Sequence, residues 1–114
     1  MARIRTLNLE RNRPTVAEAE RRLRTEIAHA RPVGVRVLRV IHGYGSSGQG
    51  GALREGIRRW LRLERQTGKI RGFIPGEEWG PFHDAAGALL AEFPELKGDP
   101  DWGRENYGIT LVML

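Results

Sequence analysis

Residues 35–54 read VRVLRVIHGYGSSGQGGALR, and the fold depends on how this stretch divides. Its first seven residues are β-branched or aliphatic apart from Arg36 and Arg39, which is the composition of a strand with at least one buried face. His42 ends the run, and five glycines follow before Leu53-Arg54 opens a segment of helical period. Leu53, Ile57, Trp60 and Leu61 make the buried stripe of a helix over 52–66. Arg54, Arg58, Arg62 and Arg65 fall within about 80° of one another around the axis at 3.6 residues per turn, so the spacing predicts a continuous basic stripe. A strand, a glycine loop and a helix in that order suggest a βα unit.

Ahead of this unit, RIRTLNL at 3–9 alternates polar and apolar residues and predicts a first strand. Thr15 with Glu18 three residues on fits a capping box, and Val16, Ala19, Leu23, Ile27 and Ala30 follow at helical spacing. Pro32 and Gly34 end that helix. Beyond the second helix, Gly68 is a stop signal and KIRGFI at 69–74 a third strand. The final YGITLVML is almost continuously apolar, as suits a central strand buried on both faces. Between them, residues 75–106 are rich in Pro, Gly and acids, with a short helix predicted over 82–93. The order β-α-β-α-β-β, with right-handed crossovers, places both long helices on one face of a four-stranded mixed sheet, an α/β two-layer sandwich.

A chain of 114 residues suits one domain, 1–114. It has no cysteine, which excludes disulfides, zinc-thiolate sites and cysteine nucleophiles. No apolar run approaches the roughly 20 residues of a membrane span. With no secretory signal visible, a cytoplasmic protein is expected. Seventeen arginines and two lysines give a net charge of +5, unevenly distributed: +11 over residues 1–72 and −6 over 73–114. Such a basic half could meet a polyanion, arginine's planar fork pairing two phosphate oxygens at once; a solvated arginine-rich surface is the plain alternative.

Gly43 to Gly48 satisfies the dinucleotide fingerprint G-x-G-x-x-G, but no acid closes the next strand to hold a ribose. Neither glycine register continues into Lys-Ser or Lys-Thr, which speaks against a P-loop. What remains is an anion site, where glycines let backbone N–H groups approach a phosphate and a helix start favours negative charge; a long mobile connection is the plain alternative. Asp99 and Asp101 lack the spacing of a calcium loop and read as turn residues capping local backbone. Tyr44, Trp79 and Trp102 fall in loops where they could stack on unpaired bases, Trp102 being equally readable as a packing lid.

Leu7-Asn8-Leu9-Glu10 before a helix, His42-Gly43-Tyr44-Gly45 after the second strand, Leu53-Arg54 in the second helix and the closing GITLVML together resemble the Smr (small MutS-related) domain. The resemblance covers essentially the whole chain. It implies the fold also seen in the C-terminal domain of translation initiation factor 3, with sheet order 1-2-4-3 and the last strand antiparallel. It implies nucleic-acid binding as well, and several family members nick DNA or cleave RNA. Three departures stand out. Asn8 and Glu10 occupy the carboxylate and imidazole positions of the family's L-D-x-H; Ser46–Gln49 reads as an insertion; and 75–106 reads as an acidic insert where the family commonly has a short connection.

The expectations are therefore specific. The chain binds DNA or RNA through Gly43, Tyr44, Gly45, Arg54, Arg58 and Arg62, with an exposed His42 and nearby Glu10 as the acid–base pair if the site is an endonuclease. No cofactor is called for, and the need for a divalent metal is left open. A surface Glu10 orienting Arg11 or Arg13 is the other reading of that carboxylate. The hypothesis from another class is a non-catalytic protein-interaction module using the acidic insert.

Overall fold

In the computed structural model, which describes residues 2–44 and 50–114, the elements run β1 (Ile4–Asn8), α1 (Val16–Ala30), β2 (Val37–Ile41), α2 (Gly50–Gln66), β3 (Gly72–Pro75), α3 (Asp84–Glu92) and β4 (Ile109–Met113). Single turns of 3-10 helix lie at Arg31–Val33, Gly76–Glu78 and Pro94–Leu96. The sheet order is β1-β2-β4-β3. β1 runs parallel to β2, Ile4 opposite Val37 and Asn8 opposite Ile41, while β4 is antiparallel to both β2 and β3. The expected four-stranded mixed sheet with a central closing strand is thus the observed one.

The capping box at Thr15 forms: its side chain accepts from Glu18 N–H while the Glu18 carboxylate accepts from Thr15 N–H. α1 then buries Ala19, Leu23, Ile27 and Ala30 against Leu53, Ile57, Trp60 and Leu61 of α2 and against Leu38, Val40 and Val112 of the sheet. Each of the large aliphatic side chains contributes about 1.5–3 kcal/mol of hydrophobic stabilisation.

The alternate residues of the strands face the other way. Val37, Ile74 and Leu111 pack with Trp79, Ala86, Leu89, Phe93 and Leu96, so the segment between β3 and β4 covers the sheet face opposite α1 and α2. The two-layer arrangement gains a third cover here, because central strands apolar on both sides need both sides dry. Trp79 is 1% exposed, which corrects the expectation that its ring is open for base stacking, and the half-buried Trp102 meets it edge to face at 4.8 Å, in keeping with the other reading of Trp102 as a packing lid. Arg39 is the polar residue on that same face of β2. It is paired with Asp99 at 3.2 Å and with Asp101, while Asp99 also accepts the backbone N–H of Asp101 as a turn residue.

Boundaries differ slightly from those expected. α2 begins at Gly50, inside the glycine run, and β3 starts only at Gly72 because Gly68 (φ +75°) and Lys69 turn back onto Arg65 and Glu64 through backbone bonds. α3 spans 84–92 rather than 82–93, its start set by the turn at 80–83.

Candidate functional site

β1 and β2 are parallel and adjacent, so the residues that follow them emerge at one edge of the sheet. Leu9 N–H bonds to Ile41 carbonyl at 2.8 Å, carrying the pairing one step past Asn8 and setting Glu10 beside the His42-Gly43 turn. The backbone N–H groups of both His42 and Gly43 donate to the Gly108 carbonyl, at 2.9 and 3.0 Å, tying the turn to the entrance of β4.

The His42 side chain is fully buried, where an exposed imidazole is expected from its strand-end position. Nδ1 lies 3.0 Å from the Gly43 carbonyl, which only accepts, so Nδ1 carries the proton. Nε2 is then the acceptor of a neutral ring, and Thr110 Oγ1 donates to it at 2.9 Å. That hydroxyl oxygen in turn accepts from Arg58 Nε at 3.1 Å. Burial holds the imidazole down to about 4, the neighbouring Arg58 and Arg54 cations adding to the effect and the Gly43 carbonyl opposing it. His42 is therefore neutral near pH 7, with both nitrogens committed inside the protein.

Glu10 is exposed, its N–H bonded to the Asn8 side-chain oxygen at 2.8 Å. Its carboxylate lies against Gly43, which has φ +79°; a β-carbon there would come 2.5 Å from Glu10 Oε2. Glu10 and His42 do arrive at the same edge, but the carboxylate meets the Gly43 backbone while the imidazole turns to Thr110. Asn12 (φ +65°) and Arg13 (φ +44°) make a left-handed turn immediately after Glu10, closed by Arg13 N–H to the Glu10 carbonyl at 3.1 Å. A left-handed arginine costs about 1–2 kcal/mol, and this turn sets Arg11 and Arg13 at the same edge, both exposed.

The expected arginine stripe divides. Arg54 donates to the Tyr44 carbonyl at 3.1 Å, and Arg62 is exposed two turns further along α2. Arg58 is different: NH1 and NH2 fork onto Glu77 at 2.8 and 2.7 Å, NH2 also reaches Ile109 carbonyl at 3.1 Å, and Nε holds Thr110. At least three of its five N–H donors are thereby occupied within the chain. Arg65 lies over the Phe73 ring at 5.1 Å. A cleft of about 470 Å³ is lined by Arg54, Glu55, Arg58, Arg59, Arg62, Glu77 and Tyr107. Gly45 lies outside the described residues. Among the described residues no group of three or more His, Cys, Asp or Glu gathers that could hold a metal ion.

Two residues of the site escape sequence reasoning. Thr110 leaves only the signal of one hydroxyl in an otherwise apolar strand, and Arg59 lies off the helical stripe that drew attention to its neighbours.

A comparison with curated proteins gives no match. Among solved structures, the Smr domain of Thermus thermophilus MutS2 is similar, with a TM-score of 0.59 and 27% identity over 96% of each chain. The family model described as Smr domain matches residues 8–93, a span that holds Asn8, Glu10, the His42-Gly43 turn and all of α2. Smr domains are in general nucleic-acid-binding and nuclease-like. The family model over most of the chain, with the structural likeness beside it, shows that this chain belongs to the Smr domain family.

Proposed function

We propose that this chain binds nucleic acid through backbone phosphates at the edge where β1 and β2 end. The observation that carries the reading is which arginines the chain neutralises for itself. Arg3, Arg39, Arg58 and Arg71 are each paired with carboxylates of the segment before β4. Arg11, Arg13, Arg54 and Arg62, which flank Glu10, Tyr44 and the cleft on α2, have no carboxylate partner among the described residues. Unpaired guanidinium groups beside a glycine turn and a helix start are a setting for phosphate oxygens. Arg58 serves this site from behind, holding Thr110 and through it His42.

In this reading His42 positions the turn, and the accessible proton acceptor at the edge is Glu10. Strand scission at this site would draw on that carboxylate, and plasmid nicking lost in Glu10→Gln but kept in Arg62→Lys is the result that supports it. The protein-interaction reading has less behind it, since five of the eight acids in 73–114 are already engaged by arginines of the same chain.

The test is a salt titration of binding to labelled DNA and RNA. Phosphate contacts make log K fall linearly with log salt concentration, and each of Arg54→Ala and Arg62→Ala should make that slope shallower by about one. Absence of binding at low salt sinks the proposal.

A further inference from the structure

Two large aromatic side chains stand open beside the phosphate site. Tyr44, next after Gly43, is 58% exposed, and Tyr107, two residues before β4, is 48% exposed. They are neighbours through Gly108. Tyr44 lies across that glycine so closely that a β-carbon on residue 108 would come 3.1 Å from Cδ1 and 3.2 Å from Cε1 of its ring. Tyr107 precedes Gly108 and lines the α2 cleft with Arg54, Arg59 and Arg62. Arg54 joins the two, bonding the Tyr44 carbonyl while lining the cleft with Tyr107.

An exposed tyrosine supported from beneath by a glycine is an inefficient way to bury apolar area. It leaves aromatic surface available, because the missing β-carbon at Gly108 lets the Cδ1–Cε1 edge of the ring approach the backbone while Tyr44 stays exposed among the described residues. The exposed surfaces of the two rings, with the arginines that line the cleft beside Tyr107 and bond the Tyr44 carbonyl, match a polymer that alternates flat aromatic groups with anions. Duplex nucleic acid hides its base faces in the stack; single strands offer them.

We infer that the site takes single-stranded nucleic acid, with unpaired bases stacked on Tyr44 and Tyr107 and the intervening phosphates on Arg54, Arg59 and Arg62. This rests on the phosphate-binding reading above and adds the strand form to it. Stacking is tolerant of sequence, so the selectivity is for unpaired over paired strands rather than for particular bases. Two carboxylates also line the cleft, and the exposed Glu55 is outnumbered there by four arginines. Glu77 is held on Arg58, so its charge is spent before a phosphate arrives.

The experiment measures binding of a fluorescein-labelled oligothymidylate and of a blunt duplex of equal length, by anisotropy across a salt series. The proteins compared are the full chain, Tyr44→Leu, Tyr107→Leu and Tyr44→Trp, with thermal melts to show that each is folded. Each leucine variant should lower the ratio of single-strand to duplex affinity by about tenfold, and Tyr44→Trp should restore it. If the unmodified chain binds both probes with a salt-dependent slope but the ratio is the same in every variant, stacking is overturned and the phosphate reading stands. If the unmodified chain binds neither probe at low salt, both fall.

Discussion

The hydroxyl of Thr110 sits 2.9 Å from Nε2 of His42, and by accepting from Arg58 at 3.1 Å it joins the strand-end histidine to α2. Thr110 is fully buried, so its loss leaves two polar groups unpaired away from water. Thr110→Val, which keeps the shape, should destabilise the chain by about 1–3 kcal/mol, whereas Thr110→Ser should recover most of that. Urea denaturation decides it: a valine variant as stable as the parent would show that the hydroxyl relay carries no weight.

The same enclosure makes stability depend on acid. Burial holds His42 at about 4, against an ordinary value of 6.5 in the unfolded chain. Between those values the unfolded chain takes up a proton that the folded chain refuses. The contribution of the neutral ring is therefore complete above about pH 6.5 and is lost as pH falls toward 4, amounting to about 2 kcal/mol by pH 5. Proton-detected titration of the imidazole should find its midpoint well below about pH 6; a midpoint at the ordinary value would contradict the assignment.

Gly43 meets two constraints at once, a left-handed φ of +79° and the Glu10 carboxylate 2.5 Å from where a β-carbon would stand. Gly43→Ala should cost about 1–2 kcal/mol from the backbone alone. The crowding comes from the far end of a flexible, exposed side chain, so Glu10 can swing aside. A double-mutant cycle with Glu10→Ala should consequently recover only a minor part of the loss. Full recovery would mean that the carboxylate, and not φ, excludes a side chain here.

Neighbouring arginines of α2 should behave oppositely. Glu77→Gln strips a forked partner from Arg58, whose side chain is 12% exposed, and should cost about 1–3 kcal/mol in a denaturation experiment. Arg62→Ala, at an exposed position, should alter stability by less than about 0.5 kcal/mol while weakening nucleic-acid binding. Two variants with the same profile would show that the helix face acts as one undivided stripe.

Much of this architecture is legible in local pattern. The alternation at 3–9, the capping box at Thr15 and the apolar closing strand each state their element through their own side chains, and the element order leaves few topologies. The site is legible only in outline, because what defines it is contact across long separations. Nothing near His42 indicates that Thr110 will take its second nitrogen, and nothing in the spacing of Arg54, Arg58 and Arg62 reveals that Glu77 claims the middle one. Trp79 reads as a loop aromatic since its neighbours are Glu78 and Gly80, yet the uncovered face of the sheet draws it inward.

The covering of the second sheet face also sorts charge in space. On one side of the sheet α2 carries five arginines against Glu55 and Glu64; on the other, the segment before β4 carries eight acids against Lys97 and Arg104. Since five of those acids are already paired with arginines, the molecule keeps its unbalanced positive charge on the α2 side of the sheet. In the field of a polyanion it experiences a torque before any contact forms, turning α2 forward and the acidic cover away. Productive encounters are selected during approach, and the rate of association should lose this advantage as added salt shortens the reach of the field.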